Sequence, residues 1–272
     1  MVIVKRVNEF KQMIDNKNIE LYDTIRRKRT LVLGDVHANF IALKQVLERS
    51  NFDYDNDKLI CLGDIVDGFS QTYECVEELL KIKNLILILG NHDDFMMNYL
   101  LKGKAIGGWL HQGGIATINS YLKASGKPEL LLESRITNAN YMKDYSRLLV
   151  DFILPVTHQE FFNNAKLFHE EGKFLFVHAG IDANTELHLQ RRETLLWDRQ
   201  LITYARNRAV PNFEKVFIGH TSTQYESNDD TLPRQFNNLW MIDTGAGWNG
   251  KLTIMDIHTE EFWQSDKFEG QR

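Results

Sequence analysis

Cysteine is scarce in this chain: Cys61 and Cys75 are the whole supply, too few for a disulfide framework and not in Cys-x-x-Cys spacing. That excludes the small disulfide-stapled class and fits a reducing compartment. Cys61 lies inside an apolar run and reads as core, since a buried cysteine behaves as a small hydrophobe. Long apolar runs are missing too, none approaching the ~20 residues of a membrane span. The opening Met1-Val-Ile-Val-Lys-Arg6 lacks the apolar core and cleavage site of a signal peptide. The expectation is a soluble, cytoplasmic protein. Excess positive charge is absent as well, and the net charge of −5 argues against nucleic acid or a membrane surface as the main partner. Repeats, low-complexity tracts and linkers are not seen. The 272 residues therefore read as one domain, 1–272, long enough for a sizeable core.

What is present is a recurring strand-to-polar-loop pattern. The apolar run Thr30–Leu33 reads as a buried strand that empties into Gly34-Asp35-Val36-His37. Residues two apart in an extended chain point the same way, so Asp35 and His37 can converge just past the strand end. Alone, the pair reads equally as an N-cap and a loop histidine. A helix is predicted over Asn39–Ser50, with Phe40, Leu43, Val46 and Leu47 on one face. A second strand, Lys58–Leu62, ends in Gly63-Asp64, with Asp67-Gly68 shortly after. After a helix at Gln71–Lys81, a third strand, Leu85–Leu89, ends in Gly90-Asn91-His92-Asp93. Three such units argue for a sheet wound by right-handed crossovers, its polar loops at the carboxyl edge, where open α/β sheets bind ligands.

Upstream, Val7 to Ile25 shows helical periodicity, and Arg26–Arg29 reads as a basic helix terminus. From about 94 to 172 the pattern changes to a mostly helical insertion, with helices at Asp94–Leu101 and Trp109–Leu122 and an apolar face at Tyr145, Leu148, Leu149, Phe152 and Ile153. His111, His158 and His169 fall here in no ligand spacing and read as ordinary histidines. Strands then return: Lys173–Val177 ends in His178, and Lys215–Ile218 ends in Gly219-His220-Thr221. Leu239–Ile242 and Lys251–Ile257, either side of a glycine-rich turn, are expected to form an antiparallel hairpin in a second sheet packed on the first.

Five strand ends thus deliver Asp35 with His37, Asp64, Asn91 with His92, His178 and His220. A mixed oxygen and nitrogen set suits manganese, iron or zinc, whereas an all-oxygen magnesium or calcium site needs no histidine. The donors exceed what one ion needs. Two ions ~3.5–4 Å apart, bridged by one carboxylate, would use them, each taking a phosphoryl oxygen while a shared water is acidified.

The motifs Gly34-Asp-Val-His37, Gly63-Asp-Ile-Val-Asp67-Gly68, Gly90-Asn-His-Asp93, His178-Ala-Gly180 and Gly219-His-Thr221 resemble, in order and spacing, the signature of calcineurin-like metallophosphoesterases. The likeness is to the bacterial and phage form of the phosphoprotein-phosphatase branch. Trp109 with Gly113-Gly114, Leu196-Trp-Asp-Arg199, Ile242-Asp-Thr-Gly245 and Gly250-Lys-Leu-Thr253 share it, so it runs from about Thr30 to Ile257. The resemblance implies an α/β fold of two packed mixed sheets flanked by helices. It implies that Asp35, His37 and Asp64 hold one metal, and that Asp64, Asn91, His178 and His220 hold the other. By the same likeness His92 is the general acid, Asp67 its partner and Arg199 the phosphate clamp. The implied activity is hydrolysis of a phosphomonoester, foremost a phosphoserine or phosphothreonine side chain, by metal-bound hydroxide. The expected substrate partner is a phosphorylated protein or a small-molecule phosphoester.

Two alternatives stand beside it: a dinucleoside tetraphosphate, cyclic nucleotide or other phosphodiester hydrolase, and a non-catalytic binding scaffold. Gly219-His-Thr-Ser222 lacks the second histidine of the wider superfamily's Gly-His-x-His, which favours the phosphatase branch. Gly68 stands where that branch has an arginine, removing one of two phosphate-binding guanidiniums. Arg191 and Arg192 are the nearest substitutes, and their plain reading is as solvated charges.

Overall fold

The computed structural model describes residues 28–102, 108–129, 154–225 and 230–267. Its ten strands form two five-stranded sheets, ordered β10-β9-β1-β2-β3 and β4-β5-β6-β8-β7. In the first sheet β1 (Thr30–Leu33), β2 (Lys58–Cys61) and β3 (Asn84–Leu87) are parallel, with Leu33 beside Cys61 and Cys61 beside Leu87. In the second, β5 (Phe174–Val177), β6 (Lys215–Ile218) and β8 (Leu239–Met241) are parallel. Antiparallel strands β4 (Phe168–Glu171), β7 (Arg234–Phe236), β9 (Thr253–Asp256) and β10 (Phe262–Gln264) complete both sheets.

The two-residue alternation of a strand explains the layering. Leu31 and Leu33 point to one face of the first sheet, into a core shared with α1 (Phe40–Arg49), α2 (Thr72–Leu79), α4 (Gly114–Ala124) and α5 (Val156–Asn163). Val32, between them, points to the other face, where Ile60, Phe176, Phe217, Ile242 and Met255 fill the space between the sheets. Phe176 and Phe217 stack there with centroids 5.1 Å apart. The outer face of the second sheet packs Leu175, Val177 and Ile218 on α6 (Arg192–Trp197) and α7 (Gln200–Asn207). Helix α1 starts where the sequence signals it, the Asn39 side chain accepting from the Ala42 amide.

Several expectations need correction. The strands flanking Asp243–Gly250 are not a hairpin. β8 pairs with β6 and β7 in the second sheet, whereas β9 pairs with β1 and β10 in the first, so the glycine-rich segment crosses between sheets. The antiparallel hairpins are β4–β5, β7–β8 and β9–β10, and each takes an outer strand with no fully buried residue. Helix α3 (Asn91–Lys102) begins at Asn91 itself rather than at Asp94. At the end of the mostly helical stretch 94–172, Phe168–Glu171 form β4, a strand not singled out from the sequence because its Phe-His-Glu-Glu has no apolar run. Val7–Ile25 and the apolar face at Tyr145–Ile153 lie outside the described residues. Arg29, of the basic cluster, pairs with buried Asp57 and caps the Ser50 carbonyl. No helix of the described residues is long and apolar enough to cross a membrane.

Candidate active site

The parallel strands of both sheets discharge their polar ends at one place. Asp35, His37 and Asp64 offer ligand atoms within 4.8 Å of one another, and so do Asp64, His178 and His220. Asp64 belongs to both groups, its Oδ2 lying 3.7 Å from His37 Nε2 and 3.5 Å from His178 Nε2. Asn91 Oδ1 sits 2.9 Å from both His178 Nε2 and His220 Nδ1. All six predicted ligands therefore meet.

Turning these side chains inward takes unusual backbone. His37, Asp64 and His220 have φ of 49°, 49° and 61°, in the left-handed region. Such non-glycine positions cost on the order of 1–3 kcal/mol each and persist only where surrounding structure holds them. The hold is visible: the Asp64 carbonyl accepts from the Val36 and His37 amides, Asp64 Oδ1 from the His92 amide, and Asp35 Oδ2 from the His220 amide. A Cβ at Gly90 would collide with Asp64 Oδ1, and one at Gly219 with Asp35 Oδ1. Gly90 and Gly219 thus admit the neighbouring carboxylates, while Gly34 and Gly63 admit the close approach of backbone at Ile242 and Gly90.

Three features fit a metal-ion pair. Asp35 Oδ1 is buried with no hydrogen-bond partner, a costly state unless something electropositive meets it. His178 Nδ1 donates to the Leu62 carbonyl at 2.7 Å, which leaves Nε2 as a bare lone pair facing Asn91 Oδ1, another acceptor. Burial lowers His37 to about 4 and His220 to about 3, so these rings are neutral and offer lone pairs at pH 7. Burial, with Asp243 and Asp64 nearby, drives Asp35 well above the usual carboxylate range, a repulsion that cations would relieve.

Beside the cage, His92 Nδ1 bonds to Asp67 Oδ2 at 2.7 Å. Asp67 is fully buried, takes Trp109 Nε1 on Oδ2 at 2.8 Å and Thr117 Oγ1 on Oδ1 at 2.7 Å, and has φ of 68°. Burial acts to lower His92, but the charge of Asp64 and the bond and charge of Asp67 prevail and raise it to about 9. Asp93, not singled out from the sequence, accepts from the Ile65, Val66 and Gly90 amides and ties the second strand loop to the third. Thr117 was missed because nothing local signals a partner 50 residues away.

The cage opens into a cavity of about 1110 Å³ lined by His37, Asp64, Asn91, His92 and Arg199 among others. Arg199 sits at the start of α7, on the cavity wall. His111, expected to be ordinary, is exposed and also lines the cavity, while His158 is buried between Tyr121 and Glu77. Arg192 is paired with Asp94 at 2.7 Å and is not on the wall. Gly68 has φ of 90°, and a Cβ there would lie 3.1 Å from His37 Cβ and its carbonyl oxygen.

Two mixed sheets with clustered candidate metal ligands at their common edge are the frame of a metal-dependent hydrolase. Residues 28–239 match the calcineurin-like phosphoesterase family, and the chain belongs to it as a metallophosphoesterase. It is 24% identical over 246 residues to serine/threonine-protein phosphatase 1 of Salmonella typhimurium, covering 88% of this chain and 97% of that protein. It is 30% identical over 270 residues to a symmetrical bis(5′-nucleosyl)-tetraphosphatase of Coxiella burnetii, covering 86% of this chain and 90% of the relative. A crystal structure assigned as a diadenosine tetraphosphatase shares the fold with a TM-score of 0.63 at 14% identity, over 89% of this chain and 95% of that one.

Proposed function

We propose that the chain hydrolyses a phosphomonoester, with Asp35, His37 and Asp64 holding one cation and Asp64, Asn91, His178 and His220 the other. The observation that carries this is Asp64, the carboxylate common to both donor groups. Manganese or iron suits the mixed donors best, with zinc next. When bound, the ion pair supplies an acidified water and offsets charge on the phosphoryl oxygens. The chain's own residues do the rest. His92, fixed through Nδ1 by Asp67, keeps Nε2 for handing a proton to the leaving oxygen. Arg199 supplies a planar guanidinium to two phosphoryl oxygens. Asp67 keeps His92 protonated at neutral pH, and Trp109 and Thr117 hold Asp67.

The leaving group is set by the cavity walls rather than by the cage. The likeness to the Salmonella phosphatase supports a phosphoserine or phosphothreonine substrate. Gly68 in place of the branch's second clamping arginine and the kinship with the Coxiella enzyme support a nucleotide phosphoester. A scaffold without turnover is disfavoured by the complete cage and by His92 in place. Assaying the metal-loaded protein on a phosphopeptide, an aryl phosphomonoester, an aryl phosphodiester and diadenosine tetraphosphate tests the reading, and turnover of none of them refutes it. His92→Asn is expected to lower turnover of an alkyl phosphate ~10²–10⁴-fold with metal content kept. Loss of metal would refute the acid role, and trapping of a covalent phosphoenzyme would refute direct attack by water.

A further inference from the structure

We propose that Asp198 is a positioning residue for the phosphate clamp: its carboxylate pins the corner from which Arg199 projects to the His178 loop, and so sets the guanidinium in register with the second donor group. This rests on the reading above of Arg199 as the group that meets the phosphoryl oxygens, and adds the residue that aims it. Arg199 stands in the turn between α6 and α7, on the cavity wall. Asp198 is partly buried beside it and does not line the cavity. Burial lowers the His178 and His220 rings and the Arg199 charge adds to it, which places the guanidinium close to these two donors.

A bidentate contact needs its guanidinium within about 0.5 Å of the productive place, so the backbone that carries it has to be fixed. Asp198 fixes it in two ways. Its Oδ2 accepts from the Leu201 amide at 2.9 Å, which caps the first turn of α7 and encloses Arg199 in the loop so closed. The same oxygen lies against Gly180, where a Cβ would stand 2.9 Å from Oδ2 and 3.5 Å from the Asp198 Cβ. Glycine at 180, two residues after His178, is what admits the carboxylate. Backbone bonds reinforce the junction: the Ala179 amide donates to the Leu195 carbonyl at 2.9 Å, and the Asp198 amide to the Thr194 carbonyl at 3.1 Å. The His178 loop thus grips the end of α6 and the start of α7 together.

Two further contacts join this corner to the site. The Trp197 ring lies 5.7 Å from the His220 ring, edge-on, and 5.2 Å from Phe95, and Arg192 pairs with Asp94 on α3 at 2.7 Å. Neither separates aim from contact as Asp198 does. Trp197 itself lines the cavity, so its removal would alter the wall. The Arg192 side chain is 43% exposed, and an ion pair in water holds little. Asp198 touches the corner and not the cavity, and that makes its effect on the clamp separable.

The test measures binding of inorganic phosphate to the manganese-loaded protein by calorimetry, with bound manganese counted by elemental analysis. Arg199→Ala is expected to weaken phosphate ~10-fold or more, the scale of a charge-assisted contact. Asp198→Ala should weaken it ~3–10-fold, the scale of a lost cap, with manganese kept. Asp198→Asn, whose amide oxygen still caps Leu201, should restore the unaltered affinity. Gly180→Ala, which presses on the same carboxylate from the other side, should act in the same sense as Asp198→Ala and gives the reading if that variant does not fold. In an Arg199→Ala background the Asp198 and Gly180 effects should vanish, because a residue that acts through Arg199 has nothing left to aim. Unaltered affinity in Asp198→Ala, weakened affinity in Asp198→Asn, loss of manganese from Asp198→Ala, or an Asp198 effect that persists at full size without Arg199 would overturn the proposal. Unaltered affinity in Arg199→Ala would remove the clamp and the proposal with it. The expected pattern of phosphate binding, with no phosphoester turned over by the unaltered protein, would remove the phosphomonoesterase reading and leave the role of Asp198 standing.

Discussion

Asp67→Asn isolates what a buried carboxylate does for His92. The amide can occupy the same place: its oxygen toward His92 Nδ1 and Trp109 Nε1, its NH₂ toward Thr117 Oγ1, the three partners Asp67 now has. The fold is kept and one charge is lost. In the present chain burial works to lower His92, and Asp64 and Asp67 together raise it to about 9. Cations held against Asp64 withdraw most of that residue's help, which leaves Asp67 as the main support for the protonated ring. Without it burial is opposed by Asp93 and by what remains of the Asp64 charge alone, and His92 moves down from about 9. A fall of two pK units corresponds to about 2.7 kcal/mol, or about 100-fold in the protonated fraction above the new value. Protonated His92 donates and neutral His92 cannot, so the loss appears as pH rises through the lowered value. The expected result is a kcat for an alkyl phosphomonoester that is ~10–100-fold down at pH 7.5 and recovers toward pH 6, where His37, at about 4, is still neutral. A p-nitrophenyl ester should change little, because nitrophenolate departs without a proton. The same loss at every pH, or for both esters, would refute the reasoning.

Asp64→Asn should reduce bound metal from two ions to one or none, measured by elemental analysis, because both donor groups lose their common carboxylate; two tightly held ions would end the bridging assignment. Gly68→Arg should not rebuild a second phosphate clamp: with φ of 90° and His37 at 3.1 Å from the new Cβ, it is expected to lower the Tm by a few degrees, ~1–2 kcal/mol of left-handed strain, without raising kcat/KM. A higher kcat/KM at unchanged Tm would show that the loop has room. His158 is lowered by burial despite Glu77, so the unfolded chain binds a proton there that the folded chain refuses. Stability is therefore lost as pH falls below about 6.5. His158→Gln should flatten the fall in Tm between pH 7 and 5, and parallel curves would clear His158 of the effect.

The cage was legible because its chemistry is tied to strand ends: a short apolar run, a glycine, then a donor, four times over, and a fifth run that ends directly in His178. Those glycines and donors sit where the pattern put them, and the parallel order of β1, β2 and β3 followed from the same alternation of strand and helix. What stayed hidden was hidden for physical reasons. The outer strands β4, β7 and β10 are three or four residues long with few buried positions, so neither length nor alternation marks them. The false hairpin arose because a glycine-rich turn between two apolar runs looks the same whether the chain returns or crosses to another sheet; only Gly34 packed on the Ile242 carbonyl shows how near the two sheets come there. Trp109 and Thr117 reach Asp67 across 42 and 50 residues, a meeting made by the packing of α4 that no local spacing encodes.

Gly68 joins these observations. Asp67 and Gly68 both have positive φ, 68° and 90°, and the turn they make brings the Asp67 carboxylate inward to His92. That turn is pressed from one side by His37 and from the other by Gly113, where a Cβ would stand 2.5 Å from the Gly68 amide nitrogen. A side chain at 68 would have to leave through one of those contacts from a left-handed backbone, which glycine alone adopts without penalty. On this path an arginine at 68 would be strained. Among the described residues of the cavity wall, Arg199 is the guanidinium left to meet a phosphoryl group.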